Sequence, residues 1–309
     1  MIAQADYERA FNRSFAEFYS QTFPIPATPW YHYTNGNGLY GIIKNHELWA
    51  TNIRYMNDSS EVDYGYAVIQ NVLRQRWDAA RDSLEKRVLS YLLEKESHVN
   101  GFLNFDIEVY VCCFCEDGDL LSQWRGYGSN GAGYSVGFDP RQFQAVAGPE
   151  LGCFKILYEK SDQTGLIEQI LKRSFATVHE LIGANPEAEP AVVKALTRQL
   201  QKEFIGCACM MKNRKYREER EWRIVKKIHR YRDLAEQIDF RIVAGRLIPY
   251  TRIKLGSNQN QEEIKSSIRE VIFGPTLQRD LTQRSLEMLL NCQGFDSDIV
   301  KGSEIPYTI

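Results

Sequence analysis

The chain has 309 residues, 43% hydrophobic and 12% aromatic, with a formal net charge of −2. That supply of core-forming side chains excludes an intrinsically disordered chain. No apolar run reaches the ~18 residues of a membrane span, and Met1 to Pro29 lacks a basic start with an apolar core, so the expectation is a cytoplasmic protein with no membrane partner.

Seven cysteines, an odd number, suit free thiols in a reducing compartment better than a disulfide framework. The pairs Cys113/Cys115 and Cys207/Cys209 suggest zinc, but residues 207 and 209 fall in a helical pattern, where i and i+2 diverge. They are expected to be packing residues, and no metal site is assigned. The net charge conceals an asymmetry, because Lys212 to Arg232 holds ten Lys or Arg against three Glu, a local +7 in a remainder of −9. Such a block is either a solvated face or a site for an anionic ligand.

Taken in order, residues 1 to 29 form a helical extension with Phe11, Phe15 and Phe18 on one face, closed by Pro24, Pro26 and Pro29. Trp30 to Thr34 is a strand carrying His32 between Tyr31 and Tyr33, and Asn-Gly-Asn-Gly is expected to turn sharply through positive φ. A helix with Leu39, Ile42 and Ile43 follows, then extended Leu48 to Thr51 and Ile53 to Met56, with Asp58, Ser59 or Ser60 as a cap. Residues 62 to 97 are helical with one break, and Ile107 to Cys115 is a near-continuous apolar run that reads as a central strand.

Next comes the densest stretch, Glu116 to Asp139. Gln123, Trp124, Arg125 and Tyr127 on a short turn precede a glycine-rich loop that lacks both a G-x-G-x-x-G fingerprint and a Walker lysine. An aromatic wall with a few polar groups suits a pocket, although Trp124 suits ordinary core equally. Phe154 to Tyr158 reads as a strand. Helices over 165–182 and 190–211 make a helical insertion at 160–211, and from Glu219 a strand places Glu219, Glu221 and Arg223 in one row on an open face. That row is either a structural ion-pair ladder or a site. The tail alternates strands over 240–243, 247–255 and 268–273 with a helix over 277–290. The expected architecture is a single elaborated α+β domain, 1–309, with helices packed around a mixed, mostly antiparallel central sheet.

Two resemblances follow from these residues. Tyr31-x-Tyr33-Thr34, Met56-Asn57-Asp58 with Glu61, the Cys-Phe-Cys strand end, Gln123-Trp124-Arg125-x-Tyr127, and Lys212 followed by Glu219-x-Glu221-Trp-Arg223 resemble the bacterial family catalogued as domain of unknown function 2971. Tyr31-His32-Tyr33-Thr34 and the late Glu219-x-Glu221 are similar to motifs of the diphtheria-toxin-like ADP-ribosyltransferases.

The second resemblance implies a split sheet and NAD as substrate, with the nicotinamide–ribose bond broken beside a carboxylate. Glu221 would stabilise the developing positive charge, Glu219 would position the acceptor, and His32 would bind the ribose. Tyr31 and Thr34 would support the pocket; Tyr55, Tyr127 or Trp124 would stack on nicotinamide beside Gln123; Arg54, Arg125 or Arg223 would meet the pyrophosphate. The acceptor would be a protein, a nucleic acid or a small molecule, in a toxin or phage-defence setting. The alternatives are a non-catalytic nucleotide- or peptide-binding module, in which Glu219 and Glu221 are structural, and a nucleic-acid binder or nuclease using the basic segment 212–232.

Overall fold

A computed structural model describes residues 4–56, 60–96, 107–127, 133–145, 151–229, 234–256 and 261–306. Along the chain run α1 (Gln4–Thr22), β1 (Trp30–Thr34), α2 (Gly36–Asn45), β2 (Glu47–Asn52), α3 (Ser60–Ala79), α4 (Ser83–Glu96) and β3 (Ile107–Cys115). Then follow α5 (Leu121–Tyr127), β4 (Tyr134–Phe138), α6 (Pro140–Ala145), β5 (Leu151–Lys155), α7 (Lys160–Ala184), α8 (Glu189–Ala208) and β6 (Glu221–His229). The tail holds α9 (Leu234–Gln237), β7 (Asp239–Val243), β8 (Arg246–Lys254), α10 (Gln261–Ser267), β9 (Ile268–Phe273), α11 (Arg279–Cys292) and β10 (Val300–Gly302). The fold is α+β, and contacts group the chain into two compact units, each built from three stretches of sequence.

The first unit (Met1–Pro24, Met56–Asp106, Ile156–Tyr216) contains α1, α3, α4, α7 and α8. Phe11, Phe15 and Phe18 of α1 are buried, as the i, i+4, i+7 spacing predicts. Helices α3 and α8 approach so closely that a Cβ on Gly65 would lie 2.4 Å from the Ala208 carbonyl oxygen. At one end of this pair Lys212 Nζ meets Glu61 Oε1 at 3.0 Å, both side chains buried, and sits 4.8 Å from the Tyr216 ring centroid. Buried Gln163 fixes the same end. Its Nε2 donates to the carbonyls of Leu157 (2.7 Å) and Lys212 (2.9 Å), while its Oε1 accepts from the Tyr64 hydroxyl at 3.0 Å.

The second unit (Ile25–Tyr55, Ile107–Lys155, Arg217–Ile309) carries the entire ten-stranded sheet. Its order is β10-β9-β4-β1-β3-β2-β8-β7, with β6 on β3 and β5 on β6, and of these pairs only β10 with β9 is parallel. One face packs Trp30, Phe114, Phe138, Phe143, Trp222 and Ile224 into the main core, with Trp30 stacked on Trp222 at 4.5 Å between centroids.

Three local expectations give way to tertiary geometry. Asn-Gly-Asn-Gly turns without positive φ, because Asn35 is an N-cap whose side chain accepts from the Gly38 N–H at 2.9 Å, so the glycines open α2. Gly38 is needed for space instead, since a Cβ there would lie 1.9 Å from Thr34 Oγ1. Ile53 to Tyr55 forms a 3-10 turn rather than a strand, started where Asn52 Oδ1 accepts from the Arg54 N–H at 3.1 Å. The strand expected over 154–158 ends at Lys155, and Leu157 forms only a single bridge with Met211. The capping residues Asp58 and Ser59 lie outside the described residues, as do Gly128 and Gly131 of the glycine-rich loop.

Candidate functional site

The centre of the second unit is a fork in the sheet. Strand β6 pairs with β3 along its whole length, from Ile107↔His229 to Cys115↔Glu221, which leaves β3 one other edge. Two strands share that edge. β2 occupies it at Tyr110 and Val111, and β1 occupies it at Cys115 through Tyr31. Between Val111 and Cys115, roughly 13 Å of strand, neither reaches the edge at Cys112, Cys113 and Phe114.

His32 stands at this gap. Its Nδ1 lies 2.9 Å from the carbonyl oxygen of Cys113, an acceptor, so Nδ1 carries the proton and Nε2 presents a lone pair. Burial holds the imidazole pKa below its ordinary value, against the raising effect of the Cys113 carbonyl, and the charge of Arg241 pushes it down further. His32 is therefore a neutral, oriented acceptor.

Arg241 comes from β7 and lies on the sheet face opposite His32, because the pairings of Arg241 with Ile248 and of Thr51 with Tyr250 and Val111 put it on the face of Cys113 and Glu221. Its Nη2 donates to Thr51 Oγ1 at 2.8 Å, and its guanidinium carbon lies 6.0 Å from the Trp49 ring centroid. Trp49 itself stacks on Tyr250 at 4.3 Å. Burial lowers the Arg241 pKa, although a guanidinium keeps its charge. Its Nε is buried with no hydrogen-bond partner among the described residues. A half-buried cation with an unused donor suits an anionic ligand. The sequence reading passed over Arg241; its only local signal was a cation within the apolar strand run 240–243.

The remaining expected residues divide by face. Cross-strand partners share a face, so Tyr31, Cys115 and Glu221 form one row, with Cys113 and Arg223 beside it. His32, adjacent to Tyr31, falls on the opposite face from Glu221, with Trp30, Phe114 and Trp222. Thr34 shares the face of His32. Glu221 and Arg223 grip each other at both ends, Nε to Oε1 at 2.5 Å and Nη2 to Oε2 at 3.0 Å, and the row is buried rather than open. The Cys113 thiol hydrogen-bonds with Glu221, and burial first, then that carboxylate, raises its pKa well above the thiol range. Glu219 does not extend the row, because it lies in the 3-10 turn Arg214–Glu219 and Arg220 follows at φ 41°.

The tyrosines and Trp124 are anchors. The Tyr31 hydroxyl donates to Glu270, and its ring fills the space above Gly118 and Gly137, where a Cβ would lie 2.4 and 2.9 Å from Cε1. The Tyr33 hydroxyl donates to the Asp117 carbonyl (2.8 Å) and accepts from the Leu120 N–H (2.9 Å). Trp124 is fully buried edge-on to Tyr33, its Nε1 donating to Asp119 Oδ1 at 2.7 Å. Gln123 is buried beside it, while Arg125 and Tyr127 on the same short helix are exposed. Arg54 and Tyr55 follow β2 at the level of Tyr110, about 17 Å along β3 from Cys115. They belong to the other end of the strand.

At least four of the eight described cations of the basic segment pair with acids within a unit: Lys212 with Glu61 and Arg214 with Glu159 in the first, Arg220 with Asp117 and Arg223 with Glu221 in the second. Arg230 and Arg232 lie outside the described residues. Among the described residues no three His, Cys, Asp or Glu converge as a metal site, and no helix is long and apolar enough to cross a membrane.

No curated protein and no solved structure matches the chain. One family model does, from Gln123 at the buried face of α5 to Ile224 just past Arg223, so that it starts and ends on the anchored motifs described above. Over residues 123–224 the chain matches the model of the family described as Protein of unknown function (DUF2971).

Proposed function

We propose that this chain is a nucleotide-binding module that takes a dinucleotide of the NAD class at Arg241, on the face of β2 and β8 that carries Thr51, Trp49 and Tyr250. Arg241 meets the pyrophosphate, and Trp49, stacked on Tyr250 and 6.0 Å from the guanidinium, offers an aromatic face to a base, while His32 holds the Cys113 carbonyl on the other face of the sheet. The observation that carries this reading is the half-buried Arg241 with its unpartnered Nε. Buried donors are almost always satisfied, and an anionic ligand would satisfy this one. On this reading Glu221 and Arg223 hold the sheet together. No observation favours the nucleic-acid alternative, and at least half of the described cations of the basic segment are paired with acids.

The test is calorimetric titration of NAD, with adenosine and inorganic pyrophosphate as partial ligands. His32→Asn keeps a donor for the Cys113 carbonyl on the other face of the sheet, so it is expected to remain folded and to bind as the wild type does. Arg241→Gln is expected to lose pyrophosphate as well as NAD. A wild-type protein that takes up none of the three overturns the reading.

A second reading keeps ADP-ribosyl transfer. It is supported by the way Arg223 orients the Glu221 carboxylate at the same end of the sheet as β1. Cleavage would send the C1′–N bonding pair to nicotinamide and the ribosyl cation to an acceptor nucleophile, whose proton passes to a base. Because His32 and Glu221 lie on opposite faces, one ribose cannot rest against both, and in this reading Glu221 acts without the histidine. Nicotinamide release from NAD in the presence of lysate, lost in folded Glu221→Gln and retained in His32→Asn, would establish it. A toxin or phage-defence role belongs with this reading, and challenge of cells with and without the gene tests it.

A further inference from the structure

The β7–β8 hairpin ends the sheet, and β7 pairs with β8 alone among the described strands. Its side chains are unusual for a solvent edge: Phe240 is 58% exposed, Ile242 76%, and Leu247, the cross-strand partner of Ile242, 64%. A bare, apolar edge strand is a template for another strand, and proteins normally blunt such edges with charge or proline. β7 carries neither on its exposed face.

We infer that two copies of this chain pair through β7, antiparallel, about a two-fold axis at Phe240. The hairpin geometry fixes which backbone groups are offered. Ala244 and Gly245 both have positive φ (47° and 77°), the signature of a two-residue hairpin turn, so the flanking pair Val243↔Arg246 is the hydrogen-bonded one. Hydrogen bonding alternates along an antiparallel strand, so Val243, Arg241 and Asp239 turn their N–H and C=O groups toward β8. Phe240 and Ile242 turn theirs outward, the Phe240 N–H being held in the single chain by Asp239 Oδ1 at 2.7 Å, while Ile238 precedes the strand and packs partly against the main core.

Side chains then choose between the two registers that keep like faces together. Centring the axis on Arg241 sets Arg241 opposite its own copy, two like charges face to face. Centring it on Phe240 sets Phe240 opposite Phe240, Ile238 opposite Ile242 of the other copy, and Asp239 opposite Arg241 of the other copy, twice over. The second register aligns opposite charges and stacks Phe240 on its own copy at the exposed edge, the Phe240 N–H exchanging the Asp239 carboxylate for the other copy's carbonyl. A self-complementary patch of this kind closes as a dimer rather than growing as a fibre.

Sedimentation equilibrium of the full chain over a range of concentrations tests the pairing, with two further variants made in a Cys292→Ser background because Cys292 is exposed. The wild type is expected to show a concentration-dependent doubling of mass, and Ile242→Lys to raise the dissociation constant at least tenfold while leaving the fold intact. Under mild oxidation Phe240→Cys is expected to cross-link to itself, since a hydrogen-bonded pair holds its Cα atoms about 5.5 Å apart, within disulfide reach. Ile242→Cys is expected not to, as Ile242 faces Ile238. A protein that stays monomeric at the highest concentration reached overturns the inference and leaves the edge to a strand of another protein. So does a dimer that forms equally well in Ile242→Lys, or one that cross-links through Ile242→Cys and not Phe240→Cys.

Discussion

Glu221→Gln separates a structural carboxylate from a catalytic one. Glu221 and Arg223 are 4% and 1% exposed and are joined by two hydrogen bonds, of 2.5 and 3.0 Å. Glutamine keeps the shape but removes the charge, and its amide nitrogen presents a donor where Arg223 needs an acceptor. Each charge-assisted bond contributes ~1.5–3 kcal/mol net, and breaking one side of a buried pair costs about 3–5 kcal/mol because the other charge stays buried. The expected loss is thus a large share of the ~5–15 kcal/mol that holds a folded domain together. In urea, with a slope of ~3 kcal/mol/M, the unfolding midpoint falls by roughly 1 M or more. Tryptophan fluorescence is a suitable probe because Trp222 lies between the two residues. The double variant Glu221→Leu/Arg223→Met, which replaces both charges by apolar groups, should recover most of the loss. A Glu221→Gln protein as stable as the wild type would refute the argument and would move the carboxylate to the catalytic reading.

Three further outcomes follow from the same geometry. Gly118→Ala would place a Cβ 2.4 Å from the Tyr31 ring and 2.8 Å from Ile272 Cδ1, and overpacking of this kind costs ~1–3 kcal/mol, read as a lowered melting temperature; an unchanged melting temperature would mean that Tyr31 is not caged. His32 has its pKa lowered in the fold, so as pH falls below the unfolded value near 6.5 the unfolded chain takes up a proton that the folded one does not. Its contribution is complete above that pH and is lost on acidification, at no more than ~1.4 kcal/mol per pH unit, and comparing His32→Asn with the wild type by urea titration isolates that slope. Burial pushes the thiols of Cys112 and Cys153 up to about 12 and that of Cys115 to about 11, so iodoacetamide near neutral pH should add one adduct to the native protein, at exposed Cys292, and seven after denaturation; mass spectrometry counts them.

Local chemistry in the sequence located most of the elements because period and capping are short-range properties. The apolar run Ile107 to Cys115 is β3, Leu39, Ile42 and Ile43 are the buried side of α2, and the tail strands fall where their alternation places them. The same reasoning misplaced Ile53 to Met56, where one Asn52 side chain overrode strand propensity, and Glu219, where a left-handed Arg220 restarts the alternation. The row of Glu221 and Arg223 was legible, but its burial was not, because what covers a strand face is decided far away in sequence. Trp124 as core was one of two readings that the residues allowed. Its bond to Asp119, which also accepts from Ser303 and Glu304, joins segments nearly two hundred residues apart.

The fork illustrates why the role of His32 was hidden. β3 and β6 have nine residues each and match end to end, so one edge of β3 is complete. β1 has five residues and β2 six, and each meets β3 for only one or two pairs before turning to its own neighbours β4 and β8. Strand lengths and pairings therefore leave a short run of β3 backbone open, and a buried carbonyl there requires a donor. His32 supplies it at Cys113, which explains a histidine among aromatic residues without reference to any ligand. The same hydrogen bond sets the imidazole tautomer. One interaction thus completes the sheet, which is why a motif that reads as catalytic in sequence stands here on the face opposite Glu221.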